Sequence, residues 1–331
     1  MHAAQLVAPG RMEMAEAPIS TPDDDEVLVS AHRVSICGSD IHIVYDGYYQ
    51  GQYPAPAGYS GHEGVGVVAE SRANGFEPGD WVLTVPAPPV ARCFAEHHVV
   101  VAGSLIKLPE SGDPNRLLMA QQLGTVVYAF RRHWPAALPA EGLTVAICGA
   151  GSAGLFFTQL ARLAGFEKII VADRAPLRLQ IAKEFGADVV VEVPGQSFPE
   201  AVKDETGGVG ADLVIEAVGY DETRIECLEA VRYQGRVGYF GFPEHPSGLS
   251  TWSYSAAWRN TPTIEIVTGT QREEGLRSFH EAIELIHSGR VNVDPFLAPV
   301  YQLDQIQEAF DAAREQRGGK ITVQCGESDL V

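Results

Sequence analysis

The sequence predicts an α/β protein in which a β-rich first part leads into a doubly wound parallel sheet. Three observations predict it. Up to about Gln122, short runs rich in β-branched residues, such as Val27-Leu28-Val29 and Gly64 to Val68, are broken by Pro and Gly turns. From Thr144 onward, strand-like and helix-like segments alternate strictly, which implies parallel strands joined by crossover helices. The apolar run Leu143 to Cys148 ends in Gly149-Ala150-Gly151-Ser152-Ala153-Gly154 and an amphipathic helix, the spacing of a dinucleotide-binding turn.

The first part reads as an irregular barrel. The alternation then runs through strand Thr144 to Cys148, helix Ala153 to Ala164, strand Lys168 to Ala172, helix Leu177 to Phe185 and strand Asp188 to Val191. It continues with helix Phe198 to Asp204, strand Leu213 to Glu216, helix Thr223 to Val231 and strand Arg236 to Phe240. Helices around Leu276 to His287 and Leu303 to Arg314 precede a last strand, Ile321 to Cys325.

A chain of 331 residues with 45% hydrophobic and 20% charged residues has room for two domains, each with a core. The formal net charge of -19 speaks against nucleic acid or an anionic membrane surface as partner, because phosphates would be repelled. No run approaches the roughly 18 apolar residues of a membrane span, and no basic segment with a long apolar one opens the sequence, so a cytoplasmic location is expected. The 5 cysteines are scattered and odd in number, which does not suggest a disulfide framework.

Chemistry concentrates in two stretches. Cys37-Gly38-Ser39-Asp40-Ile41-His42 and Gly61-His62-Glu63 bring together a thiolate, imidazoles, a hydroxyl and carboxylates. Zinc favours these donors, and a catalytic zinc keeps one position open. Asp40 fits as acceptor of a hydrogen bond from the His62 ring, fixing its tautomer. In the glycine-rich turn, Gly149 permits the tight bend, Gly151 lets backbone approach a pyrophosphate, and Gly154 lets helix and strand pack closely. The N–H groups of the helix start, at Ser152 and Ala153, meet the anion. Asp173 follows at the expected offset of about 20 residues, where an acid binds ribose hydroxyls and repels the extra phosphate of NADP. NAD is therefore expected, although the adjacent Arg174 offers a cation to a 2'-phosphate.

With these motifs the chain resembles the zinc-dependent medium-chain dehydrogenases, among them alcohol, sorbitol, threonine and glucose dehydrogenases. The resemblance spans nearly the whole length and is carried by Cys37 to His42, Gly61 to Val68, Gly79-Asp80-Trp81-Val82, Ala95-Glu96-His97, Gly149 to Gly154, Glu216-Ala217-Val218-Gly219 and Gly319-Lys320-Ile321. It implies a GroES-like catalytic domain over residues 1–122, a Rossmann domain over 123–270 and a return segment, 271–331, with the active site in the cleft between the domains. It further implies that Ser39 and His42 carry the substrate proton outward, and that Thr125, Arg178, Val218, Gly219, Phe240, Gly241, Gly269 and Lys320 line the cofactor, Lys320 through its phosphates.

Two departures from the family pattern stand out. After Gly79-Asp80-Trp81-Val82 there is no cysteine-rich lobe, only Cys93, so one catalytic zinc per chain and no structural zinc is expected. Where relatives place a Cys or Glu as the remaining ligand, this chain has Gln121. Either Glu63 completes a set with Cys37 and His62, or Gln121 coordinates directly.

Tyr45, Tyr48, Tyr49 and Tyr53 offer hydroxyl partners to a polar substrate. The reading is an NAD- and zinc-dependent oxidation of a secondary alcohol of a polyol, sugar or cyclitol. The alternatives are a zinc-free enone or quinone reductase and a catalytically silent dinucleotide-binding protein. The resemblance favours a homodimer or homotetramer, joined through a strand at Thr263 to Val267.

Overall fold

The structure, a computed structural model, describes residues 1–49, 51–87, 90–315 and 319–326. The chain divides into two units, Met1–Gly124 with Thr270–Val331, and Thr125–Gly269.

In the first unit, β1 (His2–Ala8) and β2 (Arg11–Glu16) form an antiparallel pair. They are followed by β3 (Glu26–Ser35), α1 (Gly38–Tyr45), β4 (Gly64–Ser71), β5 (Trp81–Thr84), β6 (His97–Val101), β7 (Leu105–Lys107) and α2 (Pro114–Leu117). Helix α3 (Ala120–His133) carries the chain into the second unit.

There β8 (Thr144–Cys148), α4 (Ser152–Ala164), β9 (Lys168–Asp173), α5 (Pro176–Glu184), β10 (Val189–Glu192), α6 (Phe198–Glu205), β11 (Ala211–Glu216), α7 (Asp221–Ala230), β12 (Val231–Tyr239), α8 (Tyr254–Asn260) and β13 (Thr263–Ile266) follow in order. The first unit resumes with α9 (Arg277–His287), β14 (Val300–Gln302), α10 (Ile306–Arg314) and β15 (Thr322–Gln324).

The larger sheet of the first unit has the order β14-β15-β3-β4-β5-β7, with β6 also paired to β3. Its central strand, β3, opens on the apolar run Val27-Leu28-Val29 and is buried along most of its length, its polar His32 and Ser35 included. β15 lies antiparallel to the end of β3, with Thr322 opposite Ser35 and Val323 opposite Val34. The Ile36 N–H continues this ladder, donating to the Ile321 carbonyl at 3.0 Å, so the segment around Lys320 lies beside the one that leads to Cys37. The core beneath combines Leu6, Val34, Ile36, Phe94, Phe310 and Val323, with the rings of Phe94 and Phe310 edge to face at 5.4 Å.

The second unit holds six strands in the order β10-β9-β8-β11-β12-β13, each neighbouring pair parallel. The α/β class read from the alternation is thus observed. Most boundaries shift by one to three residues; the largest shift is at β12, which takes Val231 from the expected helix and starts five residues before Arg236. The polar stretch Arg232-Tyr233-Gln234 hides a strand from a reading based on apolar runs.

His133 at the end of α3 is buried, stacked on Phe157 at 5.9 Å, and neither ring nitrogen has a hydrogen-bond partner. Burial, with Arg236 and Arg132 adding to it, lowers its pKa to about 3. Burial likewise lowers His98 to about 4. Both rings stay neutral in the folded chain while the unfolded chain protonates them below the ordinary value of 6.5, so stability present above 6.5 is lost as pH falls. His133→Leu should leave the melting temperature at pH 8 equal or higher. It should also flatten its decline between pH 6.5 and 4, since each such group costs up to about 1.4 kcal/mol per pH unit there. Thermal melts with unchanged slopes would contradict this.

Candidate active site

Strand β3 delivers Cys37 to the start of α1, and the segment before β4 delivers His62 and Glu63. The Ser35 N–H, donating to the Glu63 carbonyl at 3.0 Å, holds the two segments side by side. The Cys37 Sγ, a His62 ring nitrogen and a Glu63 carboxylate oxygen lie within 4.8 Å of one another, and among the described residues they form the single such cluster of three.

Asp40, wholly buried, ties the donors together. Its Oδ2 accepts from the Cys37 N–H at 2.8 Å and its Oδ1 from the Ser60 Oγ at 2.6 Å, while His62 Nδ1 stands 3.3 Å from Oδ1. Burial opposes a charge on His62, yet Asp40 and then Cys37 outweigh it and raise the ring's pKa well above its usual value. Gln121, also buried, donates from Nε2 to the His62 carbonyl at 3.1 Å, which sets it against the same segment.

Glu63 shows a partner that no local motif announces. The Lys320 Nζ lies 2.8 Å from its Oε2, both side chains nearly inaccessible, and the Ser35 hydroxyl donates to the same oxygen. Burial opposes ionisation of Glu63, but Lys320 and then His62 overcome it and hold the carboxyl below its usual range. Burial would likewise lower Lys320, but Glu63 and Cys37 keep its pKa raised. The ammonium expected to reach cofactor phosphates is thus engaged beside the donor set in this structure.

Tyr45 requires a correction. Its hydroxyl donates to Asp311 at 2.6 Å, the Arg314 guanidinium stands 4.5 Å over its ring, and it packs on the core, so it binds α1 to α10 rather than a substrate. Tyr49 donates to the Gln52 carbonyl at 2.9 Å and meets the rings of Tyr53 and Tyr59 at 5.2 and 5.3 Å. Tyr53 is exposed. Tyr48 sets its ring edge-on to His42 at 5.6 Å, and His42 Nδ1 pairs with Asp46 Oδ2 at 2.7 Å. Ser39 lies in the first turn of α1.

In the second unit, Gly149 follows the end of β8 with a φ of 102°, left-handed backbone that glycine tolerates. A Cβ on Gly154 would collide with the Gly149 carbonyl, which is the close packing the motif requires. Ser152, Ala153 and Gly154 open α4, with Gly151 at its cap. Both Asp173 oxygens hold backbone, Oδ2 accepting from the Ala150 N–H at 2.7 Å and Oδ1 from the Ala175 N–H at 2.8 Å. Arg174 stands over the Tyr220 ring at 6.0 Å. Phe240 packs edge-on against Phe157 at 5.1 Å, Val218 is exposed, and Gly241 has the Glu216 carbonyl as acceptor at 3.2 Å. Gly269 closes the unit in left-handed backbone. Thr125 is half-buried in α3 and Arg178 lies on α5.

Ser35 and Ser60 are site residues that sequence reasoning missed, and it missed the pairing of Lys320 with Glu63. Ser35 and Ser60 flank the motif segments, a weak signal; for Lys320 the register of β15 on β3 was needed. Removing Lys320 leaves a buried carboxylate uncompensated, so Lys320→Met should cost the metal-free protein about 3–5 kcal/mol in denaturant unfolding near neutral pH. A loss below about 1 kcal/mol, the scale of an exposed ion pair, would show that the pair is not buried in solution.

Two family models match the chain, the alcohol dehydrogenase GroES-like domain over residues 23–110 and the zinc-binding dehydrogenase model over residues 153–288. An L-threonine 3-dehydrogenase of Pyrococcus abyssi is 28% identical over 336 residues, which cover 93% of this chain and 94% of the relative. An alcohol dehydrogenase of Cupriavidus necator is 27% identical over 370 residues, covering 98% of each. Among solved structures, galactitol-1-phosphate dehydrogenase from Escherichia coli superposes with a TM-score of 0.84 at 20% identity, covering 98% of this chain and 100% of that one. L-Idonate 5-dehydrogenase from the same organism gives 0.81 at 19% identity, covering 98% and 97%; at these identities the likeness speaks for the fold. With both family models in the expected order, relatives matched along nearly the full length and a thiolate, imidazole and carboxylate brought together, the chain belongs to the zinc-dependent medium-chain dehydrogenases.

Proposed function

We propose that this protein is a zinc- and NAD-dependent dehydrogenase that converts a secondary alcohol of a polyol, sugar or cyclitol to the ketone, reversibly. The observation that carries the reading is the convergence of Cys37, His62 and Glu63 donor atoms within 4.8 Å. Thiolate, imidazole and carboxylate are the donors zinc takes, so the residues fit the metal. Bound there, zinc supplies Lewis acidity to the substrate oxygen, and the dinucleotide supplies the hydride acceptor.

The chain's own residues do the rest. Asp40 holds the Cys37 backbone and the His62 ring, so both donors keep one orientation. Glu63 offers the third donor with Gln121 beside the set. Ser39 and His42 lead the substrate proton outward, and Asp46 orients the His42 ring through Nδ1. Tyr48, Tyr49 and Tyr53 offer polar contacts for a hydroxylated substrate. Asp173, already held by two N–H groups, disfavours a 2'-phosphate and selects NAD.

We further propose a cytoplasmic homo-oligomer joined along β13, an edge strand of its sheet, with no nucleic-acid or membrane partner. Ile266 on that edge is 73% exposed, and no described helix is long and apolar enough to cross a membrane.

Polyols, sugars and cyclitols screened with NAD should yield reduced dinucleotide by absorbance, and elemental analysis should find close to one zinc per chain. Cys37→Ser should lose metal and turnover together while its far-ultraviolet circular dichroism stays unchanged; full activity in this variant would refute the zinc mechanism. Gln121→Ala should retain zinc while Glu63→Ala loses it, since Glu63 is the charged donor; the reverse pattern would make Gln121 the ligand. Asp173→Ser should narrow the preference for NAD over NADP by roughly tenfold, the worth of one hydrogen bond to a charged group. Equal efficiencies with both dinucleotides in the unmodified protein would contradict the assignment.

A further inference from the structure

Glu216 ends β11 and is completely buried. Its Oε1 accepts from the Val218 N–H at 2.9 Å and the Gly219 N–H at 2.7 Å, and the Thr223 hydroxyl lies 2.8 Å from it. Its Oε2, equally buried, has no partner. A carboxylate oxygen left bare in a protein interior is costly, so the residue is kept for what the other oxygen does.

Its place in the sheet says what that is. Strands β8, β9 and β10 run to one side and β11, β12 and β13 to the other, so β8 and β11 flank the point where an open parallel sheet takes its ligand. Glu216 stands at the β11 side of that point, and its neighbour Ala217 donates to the Cys148 carbonyl of β8 at 2.9 Å. The Glu216 carbonyl also receives the N–H groups of Phe240 and Gly241, at 2.9 and 3.2 Å, which ties in the loop after β12. A Cβ on Gly241 would lie 2.6 Å from Oε2, so that loop closes directly over the carboxyl. Asp173 performs the matching task on the other side, holding the glycine-rich turn through Ala150.

We propose that Glu216 is a positioning residue for the dinucleotide: through Oε1 and its carbonyl it fixes residues 217–220 and 240–241 in the shape that receives the half of the dinucleotide beyond the AMP moiety. The proposal rests on the dinucleotide reading of the second unit. Asp173 and the glycine-rich turn receive the AMP half and do not depend on Glu216.

Calorimetric titration of the full chain with NAD and, separately, with AMP tests it. Glu216→Ala should bind NAD about 10- to 100-fold more weakly, the range expected for lost hydrogen bonds to a charged acceptor, with AMP binding within about two-fold of the unmodified chain. Glu216→Gln keeps an acceptor in the place of Oε1 and should recover most of the NAD affinity. If the alanine variant does not fold, Thr223→Val, which deletes one of the three contacts, should weaken NAD about two- to five-fold and spare AMP. Unchanged NAD affinity in the folded variants, equal losses for NAD and AMP, or a Gln variant as weak as Ala overturns the proposal. An unmodified chain that binds neither nucleotide overturns the dinucleotide reading and the proposal with it.

Discussion

Asp40 is a carboxylate shut away from water, and the metal-side cluster depends on it. An uncompensated charge in that position would be expensive, and the cost is offset because Asp40 accepts from the Cys37 backbone and the Ser60 hydroxyl and stands beside the His62 ring. These contacts come from two separate segments, the entry of α1 and the approach to β4. The carboxylate therefore does more than neutralise a ring: it sets the distance between the thiolate and the imidazole. Without it the side-chain contact from the Ser35 hydroxyl to Glu63 would still join the two segments, but it holds neither the Cys37 backbone nor the His62 ring.

A second buried carboxylate, Glu63, is compensated differently, by a full ammonium charge from Lys320. The donor region thus gathers Cys37, Asp40 and Glu63 around one lysine and one imidazole, inside a chain whose formal net charge is -19. A further acid at position 121 would add negative charge to a region in which Lys320 already serves as counter-charge to Glu63. A neutral amide there keeps the hydrogen bond to the His62 carbonyl and avoids that charge. The departure of Gln121 from the family pattern and the presence of Lys320 are in this sense one electrostatic arrangement.

The parallel sheet was legible because its evidence is local. Each strand is an apolar run between turn residues, and each helix carries its own period, so no knowledge of distant contacts is needed. Cys37, Asp40, His62 and Glu63 were legible because they lie in two short motifs. Lys320 and Tyr45 were not, since their partners are fixed by pairing across the chain, β15 on β3 and α10 against α1. A tyrosine near a site reads as a ligand contact until the acid that accepts its hydrogen bond is located, and no spacing rule locates Asp311. Glu216 was visible as part of a motif, but its three donors on one oxygen follow from the turn geometry after β11.

The pairing of β15 with β3 bears on the order in which the protein matures. β3, Cys37, His62 and Glu63 leave the ribosome early, whereas Lys320 follows only after the whole of the second unit has been translated. Until β15 docks, Glu63 lacks its counter-charge, and a carboxylate in that condition stays solvated instead of buried. The nascent first unit is consequently open at its donor cluster, with its contacts of longest sequence separation formed last. The arrangement of Cys37, His62 and Glu63 is therefore complete only once the last strand has docked on one of the first.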